Sequence, residues 1–256
     1  GLAGNDTLIG GAGTDVLDGG TGTDTVDYSA AAGGVTADLG AGTASNDGDG
    51  ASDTLTAIEN LIGSANADNL TGSAAANTIT AGAGNDTLSG GAGIDVLDGG
   101  TGTDTVDYSA AAGGVTADLG AGTASNDGDG ASDTLTSIEN ITGSANADDL
   151  TGSAAANTIN AGAGADTINA TAGADIIDGG ADSDTIDYSS HGSATAIDVT
   201  LNGGTNATVT VTGDVNDTIR NIENVIGTTG ADSITGDSQD NSCLLYTSDA
   251  ADEEDS

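Results

Sequence analysis

A nine-residue pattern recurs along the chain, and its sixth position is usually aspartate. The pattern is Gly-Gly-x-Gly-x-Asp followed by three residues with an aliphatic one in the middle, as in Gly10 to Asp18 and Gly99 to Asp107. Carboxylates beside glycine-rich turns offer the hard oxygen ligands that Ca²⁺ prefers, whereas Mg²⁺ is less suited to an all-protein cage. Zinc and copper favour Cys or His, and the nonapeptides contain neither. The spacing therefore predicts calcium binding.

The nonapeptide also predicts how these carboxylates are brought together. Its first six residues suit a turn, and its last three suit a short strand whose middle side chain points inward, as for Leu17, Leu97 and Ile177. If each nonapeptide makes half a coil, equivalent turns stack every 18 residues at about 4.8 Å. Two bare carboxylates at that spacing repel by roughly 3 kcal/mol at an effective dielectric constant near 20. The stack therefore needs a cation between its rungs.

The predicted calcium sites are ladders of sixth-position aspartates that hold several ions. Asp68, Asp86 and Asp104 are expected on one edge, with Asn77 and Asp95 on the other, and equivalent sets are expected before and after them. The predicted metal-binding side chains are Asp6, Asp15, Asp24, Asp68, Asp86, Asp95, Asp104, Asp148, Asp166, Asp175 and Asp184. The turn carbonyls predicted to join them belong to Gly11, Gly13, Gly20, Gly22, Gly82, Gly84, Gly91, Gly93, Gly100, Gly102, Gly162 and Gly164.

Some turns depart from the pattern. Asn77 and Asn157 replace the sixth-position aspartate, so weak or empty sites are expected there. In the turn that ends at Asp184, Asp182 stands where the fourth glycine would be. The position-nine acids, such as Asp98, are expected to be surface residues at strand ends.

The composition narrows the class of protein. The 256 residues include 44 Gly but no Pro, Met, Trp or Phe, so a thick core of large side chains is not expected. Forty-one acidic residues face one cation, Arg220, and one His, which gives a formal charge of −40. Such a chain is expected to bind neither nucleic acid nor anionic lipid, and no apolar run is long enough for a membrane span. Two interpretations of the excess of acidic residues remain. The chain is either a disordered polyanion or a fold whose carboxylates are neutralised by bound cations.

A second repeat, at a spacing of 80 residues, sets the domain organisation. Residues 1–62 and 81–142 are nearly identical. We divide the chain into unit 1 at 1–62, truncated at its start, unit 2 at 63–142, unit 3 at 143–226 and the beginning of a further unit at 227–242. Residues 243–256, which contain CLLYTSDAADE, resemble a translated sequencing adapter and are interpreted as a non-native tail.

Three segments interrupt the ninefold blocks. They span 28–62, 108–142 and 188–226, and they carry alternating stretches such as Val35 to Leu39 and Val209 to Val211, typical of half-buried strands. A short helix over 54–60 is the alternative for one part of the first segment. The acidic run Asp47 to Asp53 is expected to be a flexible loop, with a further calcium site as the alternative.

The nonapeptides resemble the RTX, or haemolysin-type, calcium-binding repeat. The resemblance covers roughly half of the chain and implies an all-β fold, a parallel β-roll or β-solenoid built from nonapeptide repeats and interrupted here by strand-containing inserts. It implies that sixth-position Asp and turn carbonyls hold Ca²⁺. It also implies a secreted, extracellular or cell-surface bacterial protein that leaves the cell through type I secretion machinery and folds on meeting external calcium.

The function expected from these features is a calcium-dependent folding module or spacer, adhesin-like, with an unidentified surface target. The alternative is the C-terminal secretion or stability region of a secreted protease, lipase or pore-forming toxin. Exposed threonines such as Thr21 and Thr101 are too sparse for a flat ice- or glycan-binding array. Enzymatic activity is not expected, because Glu59, Glu139 and Glu223 have no partner that would make a catalytic set. Tyr28, Tyr108 and Tyr188 are expected to cap or pack the ends of the blocks, and His191 to be surface variation.

Overall fold

The computed structural model describes residues 1–191 and 195–245, and it is built from strands, with no helix among those residues. The expected all-β fold is therefore confirmed, and the helix alternative for residues 54–60 is wrong. The first unit and the start of the second contain β1 (Thr7–Leu8), β2 (Val16–Asp18), β3 (Thr25–Asp27), β4 (Thr36–Asp38), β5 (Thr43–Asn46), β6 (Asp53–Thr56), β7 (Asn60–Ile62), β8 (Asn69–Ser73) and β9 (Thr78–Ala83). The middle of the chain contains β10 (Thr87–Gly91), β11 (Val96–Thr101), β12 (Thr105–Asp107), β13 (Thr116–Asp118), β14 (Thr123–Asn126), β15 (Asp133–Thr136), β16 (Asn140–Thr142), β17 (Asp149–Thr151) and β18 (Thr158–Asn160). The remaining strands are β19 (Thr167–Asn169), β20 (Ile176–Asp178), β21 (Thr185–Asp187), β22 (Ile197–Thr200), β23 (Ala207–Val211), β24 (Asp217–Arg220), β25 (Asn224–Ile226), β26 (Ser233–Thr235) and β27 (Ser242–Leu244).

These strands form two sheets, one of 13 strands and one of 14 strands, between which the chain alternates. Strands in the ninefold blocks pair in parallel with the strand 18 residues away, as when Leu88 faces both Leu70 and Val106. This is the register that half a coil per nonapeptide requires, and the β-roll is confirmed. No helix that could span a membrane is present in the described parts of the chain.

A narrow aliphatic layer fills the space between the sheets. The middle residue of each strand triplet points into it, and Leu70, Leu88, Leu97 and Ile177 are each exposed by no more than 1%. The residues on either side point outward because side chains alternate along a strand. Each nonapeptide strand therefore contributes one large aliphatic side chain to the core, which is why small residues and glycine suffice in the rest of the nonapeptide.

Each insert is a three-stranded excursion within one sheet. In the second insert β13 pairs in parallel with β17, and the chain then turns back through the antiparallel strands β14 and β15 until β15 pairs in parallel with β11. The chain thus skips two positions in the sheet and fills them on its return. Strands β4 to β6 and β22 to β24 repeat this path in the other sheet.

The last described strand lies mostly in the segment that the sequence analysis interprets as a non-native tail. Strand β27 pairs with β25 and brings Cys243 opposite Val225, so the roll extends into the segment interpreted as a non-native tail. All three residues of β27 are exposed, and the pairing uses the open backbone edge of β25 rather than side-chain packing. Residues 246–256 of that segment lie outside the described residues.

Candidate metal centre

The sixth-position aspartates stand in line along the edges of the roll. The backbone amide of Asp68 donates to Oδ1 of Asp86, and the amide of Asp86 donates to Oδ1 of Asp104, both at 2.8 Å. The amide of Asp148 donates to Asp166 in the same way, also at 2.8 Å. The ladders therefore have the arrangement that an 18-residue repeat requires, with one carboxylate oxygen of each rung bound to the preceding rung.

The second oxygen of most rungs is buried without a hydrogen-bond partner. A buried carboxylate oxygen with no partner is costly, and a nearby cation removes that cost. The sixth-position residues whose Oδ2 is in this condition are Asp15, Asp24, Asp86, Asp95, Asp104, Asp166, Asp184 and Asp232. Asp24, Asp95, Asp104 and Asp184 have no measurable exposure at all. These orphaned oxygens fit a hard cation.

The electrostatics of the ladders agree with this interpretation. Burial raises the pKa of Asp86 to about 6, and repulsion from Asp68 and Asp104 adds to the effect. Burial likewise raises the pKa of Asp95 and of Asp184 to about 7, with repulsion from Asp133 and Asp166 respectively. A negative charge at these positions is thus disfavoured without a compensating positive charge.

Neighbouring turns of the roll approach each other closely, and glycine makes this possible. All twelve glycines predicted to contribute carbonyls have positive φ, for example 148° at Gly102, a region that residues with a Cβ rarely adopt. A Cβ on Gly102 would clash with the carbonyl oxygen of Gly84 in the neighbouring turn, and one on Gly100 would clash with that of Gly82. The described residues contain no group of three or more Asp, Glu, His or Cys side chains arranged to hold a metal. Backbone carbonyls would therefore have to supply the other ligands of a cation held between two rungs.

Two predicted ligands have their oxygens engaged by the protein itself. Asp68 accepts hydrogen bonds from the amide of Ser64 at 2.6 Å, from the Ser64 hydroxyl at 2.8 Å and from the amide of Val35 at 2.7 Å. Asp148 makes the same contacts with Ser144 and Val115. The contacts favour a role for Asp68 and Asp148 in closing the turn.

Other sixth-position side chains also accept hydrogen bonds from the protein. Asn77 occupies its rung as an amide, accepting from the amide of Ser73 at 2.6 Å and donating to the carbonyl of Glu59 at 2.6 Å. Asp6, near the start of the chain, accepts from the amide of Leu2 at 3.2 Å. Asp175 has one oxygen 3.5 Å from the Thr171 hydroxyl.

The structure adds acidic residues that the sequence pattern did not assign to the ladders. Glu59, Glu139 and Glu223 each continue a ladder by accepting from the amides of Asp24, Asp104 and Asp184 respectively. The recurrence of these glutamates in the tripeptide Ile-Glu-Asn is the sequence feature from which their shared role could have been predicted. Asp232 ends the sequence Gly-Thr-Thr-Gly-Ala-Asp and is a further sixth-position residue, which the sequence analysis left out of the predicted ligands.

The three block-ending tyrosines reach from the roll to the inserts. The hydroxyl of Tyr108 donates to Oδ2 of Asp133 at 3.2 Å, while Oδ1 of Asp133 accepts from the amide of Asp95 at 3.0 Å. Tyr28 and Tyr188 make the equivalent bonds to Asp53 and Asp217. Burial, with repulsion from Asp133, holds the pKa of Tyr108 far above its ordinary value. The tyrosines are therefore neutral donors that join each block to the strand returning from its insert.

Two further expectations change in the structure. His191 is half-buried, with its ring centroid 5.5 Å from that of Tyr188, so it packs against the block end instead of lying free on the surface. Asp47 and Asp53, expected in a flexible loop, are 1% and 3% exposed. The amides of Asp49 and Ala51 donate to Oδ1 of Asp47 at 2.8 and 2.9 Å, which closes the loop around that carboxylate.

The chain matches the model of a known protein family. The family model described as the RTX calcium-binding nonapeptide repeat (4 copies) matches residues 1–28, 62–97, 80–111, 142–177, 160–190 and 221–244. Together these segments make up more than half of the chain, and they contain every sixth-position aspartate discussed above. No curated protein matches the chain.

Proposed function

The chain belongs to the RTX calcium-binding nonapeptide repeat family, and from that premise we propose that it is a calcium-dependent folding module of a secreted, extracellular protein. Its repeats are calcium-binding repeats. The module's own part is structural rather than catalytic: it holds several ions and becomes a rod when they bind. The sites proposed are those of the ladder aspartates together with the turn carbonyls.

The observation that carries this proposal is the set of buried, unpartnered Oδ2 atoms on the ladders. Folding without a cation would bury these oxygens with neither charge nor hydrogen-bond compensation, which opposes the folded state. Calcium bound between the rungs supplies that compensation, so the free energy of binding becomes free energy of folding. Because the aliphatic layer is thin, there is little other apolar burial to offset the cost.

The same argument supports export before folding. At low calcium, a chain with a formal charge of −40 and few large apolar side chains stays extended, which suits passage through type I secretion machinery. Outside the cell, millimolar calcium would fold it. The 80-residue units, with boundaries at 62/63 and 142/143, lengthen the rod without adding chemistry, and we propose that they serve as a spacer in an adhesin-like surface protein.

A calcium titration followed by far-UV circular dichroism tests the proposal. The full chain, first stripped with chelator, should change from coil to β-structure at roughly 0.1–1 mM Ca²⁺, the range of extracellular calcium modules. Mg²⁺ at the same concentrations is the control and should have little effect. A β-spectrum that persists in chelator would contradict calcium-dependent folding, and a coil that persists at 10 mM Ca²⁺ would contradict calcium binding by a folded roll.

A further inference from the structure

The acidic loop of each of the first two inserts lies against a ladder turn. Strand β15 pairs with β11, so the loop that precedes β15 stands beside the turn that precedes β11. The contact is direct, since the amide of Asp95 in that turn donates to Oδ1 of Asp133 at the end of the loop, at 3.0 Å. The insert thereby supplies the rung that a further nonapeptide would otherwise supply.

Asp127, in this loop, has a buried carboxylate oxygen for which the protein supplies no hydrogen-bond donor. Its Oδ1 accepts from the amides of Asp129 and Ala131 at 2.8 and 2.9 Å, which fixes the carboxylate in place. Its Oδ2 is buried without a partner, although the residue is only 1% exposed. On the facing turn, Oδ2 of Asp95 is buried and unpartnered in the same way.

The two carboxylates interact across the junction. Beyond the effect of burial, repulsion from Asp133 and Asp127 raises the pKa of Asp95, and repulsion from Asp127 raises the pKa of Asp133. Asp95 and Asp127 thus each leave one unpartnered oxygen at this junction, whereas both oxygens of Asp133 accept hydrogen bonds. The described residues place no Lys or Arg there, since Arg220 pairs with Asp178.

We propose that Asp127 and Asp95 bind a divalent cation, Ca²⁺ by the hardness of its ligands, at the junction between the roll and the second insert. Asp47 and Asp15 bind another at the first insert. The inference rests on the proposed function but assigns sites outside the nonapeptide pattern, with one ligand from a ladder turn and one from an insert loop. Backbone carbonyls complete the coordination, since hard cations accept six or more oxygens.

The first insert repeats the arrangement. Oδ2 of Asp47 and Oδ2 of Asp15 are both buried and unpartnered, and the amide of Asp15 donates to Oδ1 of Asp53 at 3.0 Å. The same orphaned pair therefore occurs at both junctions whose loops have the sequence Asn-Asp-Gly-Asp-Gly-Ala-Ser-Asp.

The third insert provides a natural contrast. Its strands β23 and β24 are joined through a short turn without the Asp-Gly-Asp-Gly sequence. There Oδ2 of Asp175 lies 3.5 Å from the Thr171 hydroxyl, and the amide of Asp175 donates to Asp217 at 3.0 Å. No orphaned carboxylate pair remains at this junction among the described residues, so the proposed site is assigned to the first two junctions and not to the third.

The test compares two double variants of the full chain. D47N/D127N removes both junction carboxylates while an amide oxygen still accepts the loop hydrogen bonds. D49N/D129N removes the same charge from exposed positions in the same loops. Bound Ca²⁺ is counted by equilibrium dialysis with radioactive calcium. D47N/D127N should bind two ions fewer than the unmodified chain, and D49N/D129N should bind the same number as the unmodified chain.

The outcomes separate this inference from the proposed function. If the unmodified chain binds calcium and D47N/D127N binds the same number of ions with the same affinity, the junction sites do not exist although the module binds calcium. If the unmodified chain binds no calcium, the proposed function itself fails.

A second measurement covers the case in which D47N/D127N does not fold. Tb³⁺ bound at the junctions should be sensitised by Tyr28 and Tyr108, whose hydroxyls contact Asp53 and Asp133. Tb³⁺ emission should therefore fall in Y28F/Y108F at unchanged Tb³⁺ binding. Emission equal to that of the unmodified chain would overturn the assignment.

Discussion

The amide of Asp86 donates to Oδ1 of Asp104 at 2.8 Å, while Oδ2 of Asp104 is buried with no partner. One oxygen of the carboxylate thus holds two rungs together, and the other is left for a cation. The same arrangement recurs along the ladders. Each such carboxylate therefore has one oxygen with a structural role and one available to a cation, and a substitution can remove the second role while it keeps the first.

Replacement of Asp86 by Asn separates these parts. The amide oxygen still accepts from the amide of Asp68, but the charge that faces the cation is gone. We expect the calcium concentration at the folding midpoint to rise about tenfold, the scale on which changes to a metal shell act. D18N, which removes an exposed acid at a strand end, is the matched control and should leave the midpoint unchanged. A D86N midpoint equal to that of D18N would show that Asp86 does not face a cation.

Acid should partly replace calcium. Burial raises the pKa of Asp86 to about 6 and that of Asp95 to about 7, from 3.8 in the unfolded chain. Protonation therefore favours the metal-free folded state; this contribution is complete below pH 3.8 and is lost as the pH rises through 6 to 7. Circular dichroism in chelator should show more β-structure at pH 4 than at pH 7.5.

Salt provides the control for this pH effect. General repulsion among the surface acids is screened at 1 M NaCl, whereas the burial of the ladder carboxylates is not. If 1 M NaCl at pH 7.5 restores as much β-structure as pH 4 does, overall charge rather than burial controls folding.

The tyrosine bridge should contribute to stability even when calcium is saturating. Y108F removes the donor to Oδ2 of the buried Asp133, and a buried acceptor left unsatisfied costs about 1–3 kcal/mol. Urea unfolding of the full chain in excess Ca²⁺ should show a loss of this size. S109A, at an exposed neighbouring position, should show none, and equal stabilities of the two variants would mean that the bridge is not formed.

Backbone strain at the exit from the inserts should be removable. Ser137 has a φ of 53°, as does Ala57 at 50°, and the third unit carries Asn221 at 51°. Residues other than Gly and Asn adopt this region at a cost of roughly 1–2 kcal/mol. S137G should therefore stabilise the calcium-bound chain by about 1 kcal/mol in urea unfolding. S125G, within β14, should destabilise it, and a loss of stability in both variants would contradict the strain.

The sequence predicts the ninefold blocks well because their information is local and repeated. Gly100 and Gly102 define the turn, Val106 defines the inward position, and the 18-residue register follows from half a coil per repeat. The family and the β-roll follow from the same residues and are confirmed. The role of the sixth-position aspartates as calcium ligands stays a prediction.

The inserts are harder because their partners lie far away in sequence. The alternation of Val35 to Leu39 indicates a strand, but nothing local shows that the chain passes over two positions of the sheet before it turns back. The contact between Asp95 and Asp133 depends on that path, as does the ladder position of Glu139. Loop residues such as Asp127 therefore read as a solvated acidic run until the sheet order is known.

The placement of the inserts has a consequence for the geometry of a longer array. Each insert gives its own sheet two more rungs than the opposite sheet, a wedge of about 10 Å at the strand spacing of about 4.8 Å. The first insert lies in the 14-stranded sheet, the second in the 13-stranded sheet and the third again in the 14-stranded sheet. Successive inserts, and the extra rungs that they add, thus lie in alternate sheets of the roll. The nearly identical surfaces of successive units therefore belong to opposite sheets in turn.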